Sequence, residues 1–218
     1  MSRKSQTELQ RIDQGKTAIG NSVANAEISE LLAEVGYGTE KMQEGQSILS
    51  SAISAYDNNK VEDTETNLAH DLFDDKKEEL EKIYAKHRKR AKLRFDEDAS
   101  TLVKLELHKA IPTTYLEWLE TVKVFYKVLL GDEALQLSLQ GVKISQTELQ
   151  ETQGLISQTE KLREAYLNED GESQDATKIK DKSIKNLDKW MVISYSYAEI
   201  ALEDKPQLLE SLGKFVKS

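Results

Sequence analysis

Apolar residues recur along the chain with the period of an α-helix. Between residues 26 and 56 they follow a seven-residue spacing, at Ile28, Val35, Met42, Leu49 and Tyr56. This spacing is typical of an amphipathic helix whose apolar edge packs against a neighbouring helix. We therefore predict an all-α fold.

The apolar pattern occurs twice. When the sequence is aligned with itself so that Thr7 falls on Thr114, four consecutive elements match in order and without a gap. We call this alignment the repeat alignment; in its second element, Ile28, Val35, Met42 and Leu49 fall on Leu135, Val142, Leu149 and Ile156. One matched helix is expected by chance, but four in the same order indicate a tandem duplication. We predict a first helical repeat at 1–110 and a second at 111–218, packed as one rigid body.

Turn-forming residues divide each repeat further. The segments 57–59 (Asp-Asn-Asn) and 168–171 (Asn-Glu-Asp-Gly) predict turns after the seam helices. Each repeat is then a short helix, two long antiparallel helices and a second short helix. The long helices have about 30 residues, or roughly 45 Å of length. The predicted architecture is an elongated antiparallel helical bundle, and whether Gly20-Asn21 breaks the first helix is left open.

Capping residues mark several helix ends. Thr114 with Glu117 has the spacing of a capping box. Gly131 followed by Asp132 indicates the end of one helix and the N-cap of the next. Pro206, preceded by Asp204, indicates the first turn of the last helix, where the missing N–H of proline is not needed.

Small residues line one edge of the apolar seam in both repeats. Apart from Leu31, the first repeat has Gly38, Gly45 and Ala52 there, and the second has the row Ser138, Ser145, Thr152 and Thr159. A glycine inside a helix costs about 1 kcal/mol relative to alanine. A helix that contains two of them in this row is therefore expected to gain close packing against a neighbour.

The composition suits long helices with one solvated face. Apolar residues make up 38% of the 218 residues and charged residues 32%, and the mean hydropathy is −0.60. The net charge of −9 argues against general binding to nucleic acid or anionic membranes. A polar N-terminus and the lack of any apolar run of about 18–20 residues predict no membrane insertion. The same two features make a cytoplasmic location the default expectation, and the absence of cysteine is compatible with a reducing compartment.

One short segment departs from the acidic average. Between residues 86 and 94 it carries seven basic residues: Lys86, His87, Arg88, Lys89, Arg90, Lys92 and Arg94. As an interaction site it would bind phosphate groups of nucleic acid, lipid or protein. Alternatively it is a solvated helix face that complements the helix dipole, since acidic residues fill the preceding half of the same predicted helix. We favour the second interpretation.

Candidate catalytic and metal-binding patterns are missing from the sequence. A di-iron carboxylate bundle needs Glu-x-x-His pairs, and no glutamate lies three residues before His70, His87 or His108. We interpret His87 as an interior histidine. No nucleophile elbow or phosphate-binding loop is found, and Gly36-Tyr-Gly38 lies inside a predicted helix. The chain is therefore predicted to have no enzymatic activity, no cofactor and no metal.

A ligand pocket is the remaining chemical hypothesis. The aromatic residues Trp118, Tyr126, Trp190, Tyr195 and Tyr197 would line it, with the Ser/Thr row beside them. Aromatic residues at helical spacing are more typical of a core.

Several segments resemble a group of bacterial helical proteins with no established activity. They are 35–37, 42–48, 118–119, 124–126 and 187–191, and above all 198–213 (AEIALEDKPQLLESLG). The first repeat departs from this last motif, with Asp98-Ala-Ser-Thr-Leu102 where the second has Lys205-Pro-Gln-Leu-Leu209. The resemblance implies a helical bundle and no site.

The sequence therefore leaves the function unknown. A non-enzymatic scaffold or protein-interaction module is the leading hypothesis. A ligand- or metal-binding bundle, or an anion-binding protein that uses the basic segment 86–94, is the alternative. The partner, the oligomeric state and whether the repeats share one core are left open.

Overall fold

The structure is a computed structural model that describes residues 6–214. Within these residues all regular secondary structure is helical, which confirms the all-α prediction. The helices are α1 (Glu8–Ala24), α2 (Ala26–Glu34), α3 (Thr39–Arg94), α4 (Ala99–Lys104), α5 (Tyr115–Leu130), α6 (Glu133–Gln140), α7 (Gln146–Ala201) and α8 (Pro206–Ser211).

Each helix of the second half starts at the residue that the repeat alignment pairs with a helix start in the first half. Helix α5 starts at Tyr115 where α1 starts at Glu8, and α7 starts at Gln146 where α3 starts at Thr39. The same holds for α6 with α2 and for α8 with α4. This agreement supports the repeat alignment, and the duplication itself stays a prediction.

The predicted turns at 57–59 and 168–171 are wrong. Both segments lie inside helices of 56 residues, α3 and α7. Asn59 shows why, since it is buried and its side-chain amide donates to Asp63 Oδ1 at 3.1 Å and to Thr177 Oγ1 at 3.4 Å. The burial of Asn59 and its contact with Thr177 of α7 outweigh the preference of Asn for turns. Each half is therefore short, short, very long and short, not short, long, long and short.

The predicted helix through the apolar seam is also interrupted. It stops at Glu34, and the Gly36-Tyr-Gly38 segment connects α2 to α3 instead of lying within a helix. Gly36 has a φ of 79°, and the Tyr37 N–H donates to Leu32 O at 2.8 Å, as at many helix C-termini. In the second half Lys143 takes the same left-handed conformation, with a φ of 59°.

Other helix ends follow local capping residues. Gly20-Asn21 does not break α1, which continues to Ala24; Asn25 then caps α2 by accepting from the Ile28 N–H. Gly131 and Asp132 end α5 and cap α6 as predicted. Pro206 is the first residue of α8 as predicted, although the N-cap is Lys205.

The prediction of a capping box at Thr114 is wrong. Thr114 is the N-cap of α5, but its hydroxyl donates to Glu117 Oε2 at 2.8 Å and accepts no backbone N–H. The corresponding residue of the first half, Thr7, does form a capping box with Gln10.

The chain divides into two compact units, each with residues from both halves of the sequence. Unit 1 is the described part of Met1–Thr64 and Gly171–Ser218, and unit 2 is Glu65–Asp170. Each unit has its own apolar core: Ile28, Leu32, Leu187 and Ala198 lie in that of unit 1. The core of unit 2 includes Leu80, Tyr84, Phe125 and Leu149. These units do not coincide with the predicted repeats 1–110 and 111–218. The repeats concern which residues of the sequence are equivalent, and they stay a prediction.

Inside each unit, α3 and α7 run antiparallel. In unit 1, Gly45 lies at Trp190, Asn59 at Thr177 and Asp63 at Ser173. In unit 2, the Thr66 hydroxyl donates to Glu169 O at 3.0 Å, and Lys86 faces Glu148. In both, higher residue numbers on one helix meet lower numbers on the other, as the predicted antiparallel bundle requires.

Gly36 and Lys143, which are equivalent in the repeat alignment, allow a matched test of backbone strain. We expect Lys143→Gly to raise the free energy of unfolding by about 0.5–1 kcal/mol, because glycine adopts a positive φ without a Cβ clash. Gly36→Ala, at the same position of the first half, should lower it by about 1 kcal/mol. Urea unfolding followed by circular dichroism measures both. If the two variants change stability in the same direction, the assignment of strain to these turns is wrong.

Candidate functional site

The basic segment singled out in the sequence lies at the C-terminal end of α3, in unit 2. His87 and Arg88 are buried and Arg90 is half-buried. The other basic residues, Lys86, Lys89, Lys92 and Arg94, are exposed. The segment is therefore not one continuous solvated face.

The three arginines of the segment donate to backbone carbonyls of unit 2. Arg90 Nη1 donates to Lys143 O at 2.7 Å, and Arg94 Nε donates to Ser138 O at 3.1 Å. Arg88 Nη2 donates to Lys109 O, in the segment after α4. Ser138 and Lys143 flank the C-terminal end of α6, where carbonyls lack partners inside the helix. These guanidinium groups thus hold α6 and the segment after α4 against α3.

His87 is an interior residue, as the sequence predicted. Its side chain is 1% exposed, and Nδ1 lies 2.9 Å from Tyr126 Oη. Burial lowers the pKa of His87 to about 4, with smaller contributions from Lys86 and Arg90, while Glu148 opposes the shift. Burial also raises the pKa of Tyr126. Both side chains are therefore neutral at pH 7, and they form a neutral hydrogen bond in the core.

A groove of about 620 Å³ opens beside His87 in unit 2. Its walls include Ile83, His87 and Thr152, and its charged groups include Lys86 and Glu148. Lys86 Nζ and Glu148 Oε1 are 4.0 Å apart. The backbone N–H of Ser145 is the main cause of a lowered pKa at Glu148, because this carboxylate caps the start of α7. The groove thus offers charged and hydrogen-bonding groups, but its histidine is too weak a base for proton transfer near pH 7.

Unit 1 has a bulky side chain where unit 2 has this groove. In the repeat alignment, Ile83 corresponds to Trp190 and Thr152 corresponds to Gly45. A Cβ built on Gly45 would lie 2.7 Å from Trp190 Cε2, so the indole rests directly on the glycine backbone. This confirms the close packing predicted for Gly45, although the neighbour is a ring rather than a backbone. The smaller Ile83 leaves the corresponding space in unit 2 open.

The aromatic residues that were predicted to line one pocket lie in two different units. Trp118 and Tyr126 belong to unit 2, whereas Trp190, Tyr195 and Tyr197 belong to unit 1. Trp118, Tyr126 and Trp190 are buried in the two cores, in line with the core interpretation.

The Ser/Thr row serves helix packing and capping. Thr152 and Thr159 are buried and donate to the carbonyls of Glu148 and Leu155, four residues earlier. Ser145 precedes α7 and accepts from the Glu148 N–H, while Ser138 lies in α6.

An exposed apolar surface lies on the C-terminal half of α7, in unit 1. We call it the α7 face; it consists of Val192, Ile193, Tyr197 and Ile200, which are 67%, 53%, 38% and 64% exposed. Ile193, Tyr197 and Ile200 follow the i, i+4, i+7 spacing of one helix face. The opposite side of the same turns is buried, with Leu187, Met191 and Ala198 in the core. The helix is thus apolar on more sides than its own unit covers.

The first half of the chain lacks such a surface at the equivalent positions. In the repeat alignment, Ile193, Tyr197 and Ile200 correspond to Lys86, Arg90 and Leu93. One side of the same helical turns is therefore apolar in α7 and largely basic in α3. The α7 face was not predicted from the sequence, because apolar residues at helical spacing were interpreted as core residues. The signal that could have identified it is the segment 190–201, which is apolar on nearly every side of the helix.

Compared with protein-family models, curated proteins and solved structures, the chain matches none significantly. The resemblance of 198–213 to bacterial helical proteins therefore stays a prediction. Among the helices of residues 6–214, none has both the length and the apolarity needed to cross a bilayer.

Proposed function

We propose that this chain is a non-enzymatic protein-interaction module that binds its partner through the α7 face. The observation that carries the proposal is the cluster of four large apolar side chains, each more than a third exposed, on adjacent turns of one helix. Single exposed apolar residues are normal on protein surfaces, but contiguous ones mark interaction sites. We also propose that it acts in the cytoplasm.

The aromatic residue of the α7 face is already held in place. The Tyr197 ring stacks on Tyr37, with centroids 4.6 Å apart and planes 20° apart. Tyr37 is itself buried and lies 6.1 Å from the Trp190 ring. A side chain fixed in this way loses little conformational freedom when a partner covers it, which favours binding.

The groove beside His87 supports a second proposal, a site for a small polar ligand. Its observation is the open volume in unit 2, where unit 1 places an indole. We rank this proposal below the first, because Glu148 already serves to cap α7. The anion-binding alternative is weaker still, since all three arginines of the basic segment donate to backbone carbonyls of their own chain.

Site-specific photo-crosslinking tests the main proposal. The photoreactive amino acid p-benzoylphenylalanine is placed at Ile200 or, as a matched control, at Leu93, the equivalent position in α3. The two native side chains are similarly exposed, at 64% and 72%, and differ in their surroundings. We expect a discrete crosslinked protein band from position 200 and none from position 93, because only the first lies within an apolar face.

Adding Ile193→Glu to the chain that carries the photoreactive residue at position 200 should abolish that band. The reason is that a carboxylate at the centre of the face cannot be buried without a partner. Equal crosslinking from both positions, or none from position 200, would rule out the α7 face as the binding surface.

A further inference from the structure

The charges around the α7 face are arranged with opposite signs at its two ends. Exposed lysines precede the face, at Lys182, Lys185 and Lys189. Exposed acids lie at its far end, at Glu203 and Asp204 in the turn after α7 and at Glu199, which pairs with Lys214. Helix α7 has no basic residue in its last turn. Carboxylates near that end are opposed by the helix dipole, so the dipole does not explain the arrangement.

A surface with this polarity is complementary to itself when two copies meet in opposite directions. In such a pair, centred between Ser196 and Tyr197, Ile193 of one copy faces Ile200 of the other. Asp204 lies in the turn that directly follows α7, so this pairing brings it to the end of the contact where Lys189 of the other copy lies. A symmetric dimer of this kind repeats each contact twice, so every attractive charge pair counts double.

We propose that the partner that covers the α7 face is a second copy of this chain, paired through antiparallel α7 helices around a two-fold axis. This inference rests on the proposed function, since it names the partner for the same surface. Ser196 suits the centre of the contact, because its small side chain admits a neighbouring helix and its hydroxyl already donates to Val192 O at 3.0 Å. The Ser196 hydroxyl therefore keeps a hydrogen bond when the contact covers it.

The dimer is expected to be weak and concentration-dependent. From Val192 to Ile200 the face extends about 12 Å along the helix, at the usual helical rise per residue. Even with its charged ends, it falls among small interfaces, which bury less than about 1,200 Å².

Charge reversal tests this geometry. The full chain is studied by sedimentation velocity over a concentration series, where we expect a monomer–dimer equilibrium. Lys189→Glu should weaken the dimer about tenfold, because glutamate then faces Asp204 in both symmetric contacts. The double variant Lys189→Glu/Asp204→Lys should restore the parental dissociation constant to within about threefold, since the pair is rebuilt with reversed signs.

Leu93→Glu is the matched control, because it adds a charge at the equivalent exposed position of α3 and should leave the dimer unchanged. Circular dichroism checks that every variant is folded. A chain that stays monomeric throughout the series overturns the inference, and so does a double variant as weak as the single one. If the chain is monomeric but position 200 still crosslinks to a different protein, only the self-pairing fails and the proposed function stands. If both experiments are negative, both fail.

Discussion

Replacing Gly45 by alanine is expected to lower the free energy of unfolding by about 2 kcal/mol, within the range typical of an overpacked core. The new Cβ would lie 2.5 Å from Trp190 Cη2 and 2.7 Å from Cε2, well inside van der Waals contact. The indole is 6% exposed and packed within the unit 1 core, so it has little room to move. The cost of this overlap exceeds the helix propensity that alanine gains over glycine, which is about 1 kcal/mol.

Two other glycines of the long helices provide the control. A Cβ built on Gly154 or Gly171 meets no atom within 4 Å, and both residues lie inside α7. Gly171→Ala and Gly154→Ala should therefore raise the free energy of unfolding by about 0.5–1 kcal/mol. Urea unfolding followed by far-UV circular dichroism compares the three variants. If Gly45→Ala is as stable as Gly171→Ala, the close packing of Trp190 is refuted.

A rescue variant makes the test specific for the contact. At the equivalent positions, unit 2 has Ile83 in place of Trp190 and Thr152 in place of Gly45. Gly45→Thr alone should be strongly destabilising, whereas Gly45→Thr/Trp190→Ile should recover most of the loss. The two substitutions should therefore be strongly non-additive, as expected for residues in direct contact.

Local features of the structure were the part that the sequence predicted best. Gly131, Asp132 and Pro206 mark helix ends as expected, because capping and the proline ring act within a few residues. Asn59 and Gly36 show where this reasoning ends. Asn59 was expected in a turn but is held inside α3 by contacts with α7, whereas Gly36 was expected in a helix but terminates α2.

The compact units could not be predicted from the repeat. Aligning the two halves shows which residues are equivalent, but not which helices pack together. The long helices α3 and α7 make the difference, because each contributes one part to unit 1 and another to unit 2. With turns at 57–59 and 168–171, each half of the sequence would pack its own two long helices against each other. That arrangement does not predict two cores that combine residues from both halves.

The candidate site was only partly visible in the sequence. The basic segment and the interior position of His87 were recognised, since clustered charge and helical spacing are sequence properties. The acceptors of Arg90 and Arg94 are backbone carbonyls, which any residue supplies, so no side-chain pattern identifies them. The groove exists because isoleucine occupies the position of Trp190, a difference in volume that matters only once packing is known.

Lowering the pH from 7 to 4 is expected to remove about 3 kcal/mol of stability through His87 alone. Its folded pKa is about 4, against about 6.5 in an unfolded chain. Between these values the unfolded chain binds a proton that the folded chain does not, so acidification favours unfolding. This contribution is complete above about pH 6.5 and is lost as the pH falls to about 4. The physical cause is the burial of the imidazole against Tyr126.

The histidine's contribution is isolated by comparing the chain with His87→Gln, whose amide does not titrate. The free energy of unfolding of the parent should fall by about 3 kcal/mol more than that of the variant between pH 7 and pH 4, since the carboxylates common to both cancel.

A direct measurement is the NMR titration of the His87 ring protons, assigned by their disappearance in the variant. They should not shift between pH 7 and pH 5, because the imidazole stays neutral until close to pH 4. A midpoint between pH 6 and pH 7 would show that the ring is solvated, and parallel pH profiles of the two proteins would lead to the same conclusion. In either case the packing of α3 against Tyr126 would be looser than the structure shows.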